Sequence, residues 1–309
     1  MNAMKTQLTE LRALACRAEN RRTDTGIPRV AMVQGEIPEH LLAAVYEPMI
    51  NLILQGSKSM TIADRTLRYD PATYFVMSID LPAVGQVHPS ASGEPYLAVS
   101  LTLDPVVLTT LLADLPKPLG QHEQEAGFSV AAVTPELMDA WVRLLRLMGK
   151  PEEVAALAPV YEREILFRVL QGPHGWMLRD IAAPDSAMAR VNLAIAHIRQ
   201  DFAEPIRVDA LAQLASMSVS AFHRHFKAVT ALSPLQYQKR VRLLQARTLM
   251  VAHARSVTGA AFEVGYESAT QFSRDYARVF GLPPSRDAAR MLGEIRSNPG
   301  GGRSTSTGR

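Results

Sequence analysis

Arg224 and Lys227, with Ser220, Ala221 and His223 beside them, gather a guanidinium, an ammonium and small or hydrogen-bonding side chains on one side of a helical stretch. Such a set suits a nucleic-acid duplex: an arginine can bridge the two acceptors on a guanine edge, and a lysine neutralises phosphate. The pattern occurs twice. Ser218, Phe222, Arg224, Phe226, Val229, Leu232 and Pro234 return class for class, 50 positions on, as Ser268, Phe272, Arg274, Tyr276, Val279, Leu282 and Pro284. The second outward face then reads Ala269, Thr270, Gln271, Ser273 and Arg274. One amphipathic helix with basic residues outward is common on solvated surfaces; a spaced pair is not explained that way.

Positioning these faces requires a supporting helix, a turn and a cap in each copy. In the first, Val208, Leu211, Leu214 and Ala215 are predicted to form the buried side of the supporting helix. Ala212 allows close approach, Ser216-Met217-Ser218 turns the chain, and Ser218 caps the next helix. Phe222, Phe226 and Val229 follow at i, i+4 and i+7, the spacing of one buried face. In the second copy Val257, Ala260, Ala261 and Val264 face inward, Gly265 permits the turn and Ser268 caps. Phe272, Tyr276 and Val279 are the buried residues there. Between the copies Pro234 opens a helix with Tyr237, Val241, Leu244 and Ala246, predicted to space the two units for successive turns of DNA, about 34 Å apart.

Residues 188–290 resemble the DNA-binding domain of the AraC/XylS family of bacterial transcription regulators. The resemblance rests on Leu211-Ala212, Ser218-Val219-Ser220, Arg224-His225-Phe226-Lys227, Ser233-Pro234, Tyr237 and Arg240. It continues with Ala261-Phe262-Glu263-Val264-Gly265-Tyr266, Gln271-Phe272-Ser273-Arg274 and Phe280-Gly281-Leu282-Pro283-Pro284. It implies recognition helices over about 218–229 and 268–279, with transcriptional regulation as the role and a leaning towards activation. Three departures stand out. Ala231 replaces a usual glycine, Asp275 and Ala277 stand where neutral or basic residues are usual near phosphates, and Ser285-Arg286-Asp287 replace the usual Tyr-Arg after the last proline. The second departure predicts a weaker second unit.

Ahead of this region the texture differs. Short apolar runs at Ile50–Leu54, Ser59–Ile62, Thr66–Tyr69, Tyr74–Met77 and Tyr96–Leu101 alternate with turn residues, which predicts an antiparallel sandwich or barrel. Residues 4–20 read as an amphipathic helix. Asp104-Pro105 and Thr134-Pro135-Glu136 each carry a cap followed by a first-turn proline, so helices are predicted from both, the latter stopped at Gly149. A third is predicted after Pro159 and ends near Gly172-Pro173. The fold class is thus α+β: a small antiparallel barrel with flanking helices, then an all-α domain with two helix-turn-helix units. The expected division is an N-terminal helix (1–28), a sensor or dimerisation domain (29–171), a linker (172–186), the DNA-binding domain (187–291) and a disordered tail (292–309). The front half is similar to the cupin-like N-terminal domain of some AraC-type regulators, which implies effector sensing or pairing of subunits, with the effector-binding residues left unassigned.

Charge follows the same division. Residues 1–186 hold 16 Lys and Arg against 22 Asp and Glu, whereas residues 187–291 hold 14 against 7, the footprint of a nucleic-acid reader joined to something else. Cys16 is the only cysteine, which excludes an internal disulfide and suits a reducing cytoplasm. Charges at Glu10 and Arg12 interrupt any signal-peptide core, and no apolar run is long enough for a membrane span. His40, His88 and His122 stand singly, not as the His-x-His pair a metal-binding cupin requires. The expectation is therefore a cytoplasmic protein with no enzymatic activity, catalytic residue, metal or cofactor. Its expected partners are double-stranded DNA, RNA polymerase, a small-molecule effector and a second copy of the chain. The alternative is a cupin-type enzyme fused to a DNA-binding module.

Overall fold

The computed structural model describes residues 2–19, 22–35, 42–71, 73–116, 126–183 and 185–297. Contacts divide the chain into two units, one of 1–195 with 208–234 and the other of 196–207 with 235–309.

The first unit begins with helix α1 (Asn2–Ala15) and ten strands follow among the described residues. They are β1 (Thr23–Asp24), β2 (Val30–Gln34), β3 (Ala43–Tyr46), β4 (Met49–Gln55), β5 (Ser57–Ile62), β6 (Arg65–Tyr69), β7 (Thr73–Met77), β8 (Leu81–His88), β9 (Leu97–Thr102) and β10 (Phe128–Ala132). They form a six-stranded sheet ordered β1-β2-β9-β4-β7-β10 and a four-stranded sheet ordered β3-β8-β5-β6, with every pairing antiparallel. No ladder among the described residues closes the two into one hydrogen-bonded barrel, so the arrangement is cupin-like but open. All five predicted strand runs are strands. Strands β1, β2, β3, β8 and β10 were not predicted.

β4 is a near-continuous apolar run because it is covered twice. One face belongs to the sheet core, and α1, with Leu11 and Ala15 fully buried, packs on β4 and β9 from the other. Arg12 Nε donates to the Leu54 carbonyl at 2.7 Å and fixes that docking. Cys16, just past this helix, is exposed.

Helix α2 (Pro105–Ala113) starts as its cap predicts: Asp104 Oδ1 accepts from the Val106 N–H at 2.8 Å. Helix α3 (Pro135–Arg146) likewise has Thr134 Oγ1 accepting from Leu137, and a short 3-10 turn carries it to Gly149. Helix α4 (Pro151–Leu170) corrects an expectation. It opens at Pro151, with Glu152 and Glu153 in its first turn, and Pro159 lies inside it. The rule that proline favours the first turn holds, but it applies to the earlier proline. The stretch expected as a linker carries helix α5 (Gly175–Ala182), whose Trp176, Met177 and Leu178 are buried.

Helix α6 (Ala187–Gln200) leads to α7 (Val208–Leu214) and α8 (Val219–Thr230). Helix α9 (Pro234–Ala252) precedes α10 (Val257–Glu263), α11 (Ala269–Phe280) and α12 (Pro284–Ser297). The expected tail therefore starts inside α12, and its part from residue 298 on lies outside the described residues. No described helix is long and apolar enough to cross a membrane.

Candidate nucleic-acid interface

In the first helix-turn-helix unit, Leu211, Ala212 and Ala215 are buried and Val208 is half-buried. Leu214 is 45% exposed, against expectation. At 100° per residue, positions 208, 211, 212 and 215 share one narrow face, and 214 falls well to the side of it. The turn passes through Ser216 at φ 52°, where its N–H donates to the Gln213 carbonyl. Arg190 Nη1 of α6 reaches the Ser216 carbonyl at 3.5 Å. Ser218 then caps α8, its Oγ accepting from the Ala221 N–H at 3.3 Å.

Phe222, Phe226 and Val229 are fully buried, with the two phenyl rings edge to face at 5.4 Å. The opposite side of α8 leaves Ser220, His223, Arg224 and Lys227 exposed and Ala221 half-buried. A partly buried neighbour reports the field there: burial, and then the charges of Arg224 and Arg190, push the His225 imidazolium below its usual range.

The second unit repeats the design. Ala260, Ala261 and Val264 are buried and Val257 is half-buried. Gly265 makes the turn at φ 84°, and a side chain there would run into the Ala203 carbonyl. That carbonyl also accepts from Arg242, whose guanidinium donates to Phe202, Gly265 and Glu204 carbonyls as well, so one arginine holds the loop before the unit against its turn. Ser268 Oγ accepts from Gln271 and caps α11. Phe272 and Tyr276 are buried and Val279 is half-buried.

The outward side of α11 shows Thr270, Gln271 and Arg274 exposed, with Ala269 and Ser273 half-buried. Ser273 Oγ donates to the Ala269 carbonyl at 2.8 Å, so its hydrogen is used within the helix. Arg278 is exposed one turn beyond Arg274. It was missed in the sequence, although its i+4 spacing from Arg274 was the available signal. Asp275 does not oppose phosphates from the surface. It is 8% exposed, pairs with Lys239 Nζ of α9 at 3.0 Å and accepts from Tyr266 Oη at 3.5 Å.

Helix α12 is locked by a buried ion pair. Arg247 Nε lies 3.0 Å from Asp287 Oδ2, Tyr276 Oη donates to the same carboxylate at 2.8 Å, and Arg290 Nη2 adds a third donor at 2.8 Å. Burial alone would raise the Asp287 carboxyl, but the contacts with Arg290, Arg247 and Tyr276 outweigh it and hold the group below the usual carboxylate range. The departure from the usual Tyr-Arg thus places a structural carboxylate beside Tyr276 of α11.

Two capped helix-turn-helix units, with an antiparallel-sheet domain before them, define the chain as a double helix-turn-helix protein. Comparison with known proteins narrows the class. Residues 26–177 match the family model for the AraC-type transcriptional regulator N-terminus, and residues 211–290 match a helix-turn-helix domain model. The chain is 31% identical over 176 residues to the HTH-type transcriptional activator RhaS of Escherichia coli O1:K1, an alignment covering 56% of this chain and 62% of that protein. RhaS of Escherichia coli strain SE11 is 32% identical over 145 residues, covering 46% and 51%. The chain thus spans less than two thirds of the length of these relatives. Among solved structures, unsaturated fatty acid-bound ToxT of Vibrio cholerae shares the fold at TM-score 0.54 and 11% identity, over 85% of this chain and 92% of that one. The apo K231A variant of Vibrio cholerae ToxT gives 0.55 at 10% identity, over 88% and 100%. The chain thus joins a domain that matches the AraC-type transcriptional regulator N-terminus to a helix-turn-helix domain, a plan similar to that of AraC-type transcriptional regulators.

Proposed function

We propose that this protein is a sequence-specific DNA-binding transcription regulator whose N-terminal domain senses a small molecule, pairs subunits, or does both. The reading is carried by one observation: each of two serine-capped helices buries an aromatic face and leaves the other face polar or cationic. Ser220, Ala221, His223, Arg224 and Lys227 of α8, and Ala269, Thr270, Gln271, Ser273 and Arg274 of α11, form the proposed DNA-facing set, to which Arg278 is added. Arg224 and Arg274 read base edges, and Lys227 and Arg278 neutralise phosphate.

Likeness to the activator RhaS supports activation through contact with RNA polymerase, and ToxT, with a fatty acid bound, supports a small-molecule effector. A role on chromosomal DNA places the protein in the cytoplasm, and the relatives it resembles are named as transcriptional activators. The test is a gel-shift titration of the full chain, over a range of salt, against the DNA upstream of its own and neighbouring coding regions. Saturable, salt-sensitive binding that survives excess random DNA supports the reading; equal affinity for random DNA refutes it.

A further inference from the structure

The last four carbonyls of an α-helix have no partner within it and must find one elsewhere. At the end of α8, the Lys227 carbonyl accepts from the Ala231 N–H at 2.9 Å, and Thr230 Oγ1 donates to the Phe226 carbonyl at 2.7 Å. The Val229 carbonyl is served from far outside the helix-turn-helix. It accepts at 2.9 Å from the N–H of Gly127, the residue that leads into β10. Both partners lie within the unit formed by 1–195 and 208–234. Val229 is fully buried, so its carbonyl has no water to turn to if that donor withdraws.

Gly127 is itself firmly held. Its carbonyl accepts from the Ser78 N–H at 2.8 Å and from Ser78 Oγ at 3.0 Å, and Ser78 is buried. Ser78 follows β7 directly and Gly127 precedes β10, so the pair extends the β7–β10 ladder past its first rung, Phe128 opposite Met77. Strand β10 is the outermost strand of the six-stranded sheet. The contact is also closed to any side chain. A methyl group on Gly127 would meet Val229 Cγ1 and Ser78 Oγ at 3.0 Å each and Ile79 Cγ1 at 3.2 Å. Carbon atoms attract best at about 3.5–4.0 Å, so these approaches are too close. One backbone hydrogen bond and one tight van der Waals contact therefore join the sheet edge to the C-terminal turn of α8.

We propose that Gly127 is a positioning residue for DNA recognition: through Val229 it sets the direction of α8 and carries the state of the outer strand to the DNA-facing set. The inference rests on reading the chain as a DNA-binding regulator. The contact lies at the buried end of α8 and leaves Ser220, His223, Arg224 and Lys227 exposed, so it acts by orientation and does not block them. The joined form is the DNA-competent one. Its outward face is free, and the helix behind that face is fixed at one end by Ser218 and at the other by Gly127. A helix so held loses less freedom on binding than one whose end is loose. By linkage, whatever weakens the joint weakens DNA binding, and DNA binding tightens the joint by the same factor.

The experiment uses the full chain and the upstream DNA segment that it binds best in the gel shift. Gly127→Ala, which crowds Val229, should weaken specific binding at least about fivefold, the lower end of ordinary coupling between sites. The loss should fall on the base position that Arg224→Ala relaxes and spare the one that Arg274→Ala relaxes. Val229→Ala removes the methyl group that the new side chain crowds, so the double variant should bind several-fold more tightly than Gly127→Ala alone. The parent chain supplies a measurement that needs no variant: saturating DNA should slow hydrogen exchange at the Gly127 amide at least about fivefold. Parent-like affinity in Gly127→Ala, a double variant no tighter than Gly127→Ala, or a Gly127 amide whose exchange ignores DNA overturns the proposal. A loss spread evenly over all base positions makes Gly127 merely structural and overturns it too. The two readings fail differently: a parent chain without specific DNA binding removes the regulator reading, whereas equal specific binding by parent and Gly127→Ala removes only the positioning role.

Discussion

The two helix-turn-helix units share a plan and differ in how each is held and charged. The supporting helices α7 and α10 start 49 positions apart, at Val208 and Val257, whereas the capping serines, Ser218 and Ser268, are 50 apart. The second turn therefore holds one more residue, Glu267. Helices α8 and α11 each end on a left-handed residue, Ala231 at φ 61° in the first and Gly281 at φ 76° in the second. At the position where α8 carries the half-buried His225, α11 carries Asp275, buried against Lys239. Lys227 has Ala277 as its counterpart, and Ala228 has Arg278. Repetition conserves what the backbone needs, the cap and the buried aromatic pair. Charge and polar identity on the outward faces differ between the copies.

The largest effect separates the units by stability. Asp287 supports α11 through Tyr276, and Tyr237 occupies the corresponding position in the sequence 50 residues earlier. Asp287→Ala leaves Arg247 buried and unpaired and should cost about 3–5 kcal/mol in denaturant unfolding. A cost near zero would mean that the ion pair does not hold α12. Because the Asp287 pKa is depressed on folding, its stabilisation is complete above the ordinary carboxylate range and is lost as pH falls through the lowered value. Asp287→Asn should flatten the acid limb of a stability–pH profile, and an unchanged limb would assign acid sensitivity elsewhere.

Smaller effects test the division of labour on DNA. Arg224→Ala should lose about 1–3 kcal/mol on the specific site and relax preference at one base pair. Equal loss on random DNA would make Arg224 a phosphate contact. Lys227→Ala should reduce the slope of log affinity against log salt by about one, and Ala277→Lys should add about one if α11 lies against phosphates. An unchanged slope in either removes that position from the backbone contacts. Smallest is the C-cap exchange. Ala231→Gly should stabilise by about 0.5–1 kcal/mol and Gly281→Ala should destabilise by a similar amount, read from unfolding midpoints. Opposite signs would show that packing at Ala231 outweighs its backbone strain.

Much of this was legible in the sequence because caps and periodicity are local. Ser218, Ser268, Asp104 and Thr134 each accept the hydrogen bond their positions predict, and Phe222, Phe226, Phe272 and Tyr276 are buried as their spacing requires. What escaped depends on partners distant in sequence. Asp275 reads as a surface charge until Lys239 and Tyr266 are brought to it. The helix over 175–182 hides among Gly172, Pro173 and Gly175, and its buried residues find partners only in the folded unit. Strand β8, with Pro82 and Gly85 inside it, shows little strand signal, yet β3 and β5 pair with it on both sides. Lys58, only 6% exposed on β5, is the sharpest case. Its alternation with Met60 and Ile62 marks it as inward, but a lysine between two serines reads first as solvated.

The claim that both helices read one binding site is tested most directly by a base-preference profile. The full chain, Arg224→Ala and Arg274→Ala would each be used to select from a randomised duplex library at fixed salt. Each variant should lose preference at a different position of the same site, leaving the other positions intact. Profiles identical to the parent for either variant would remove that helix from base recognition and contradict the account.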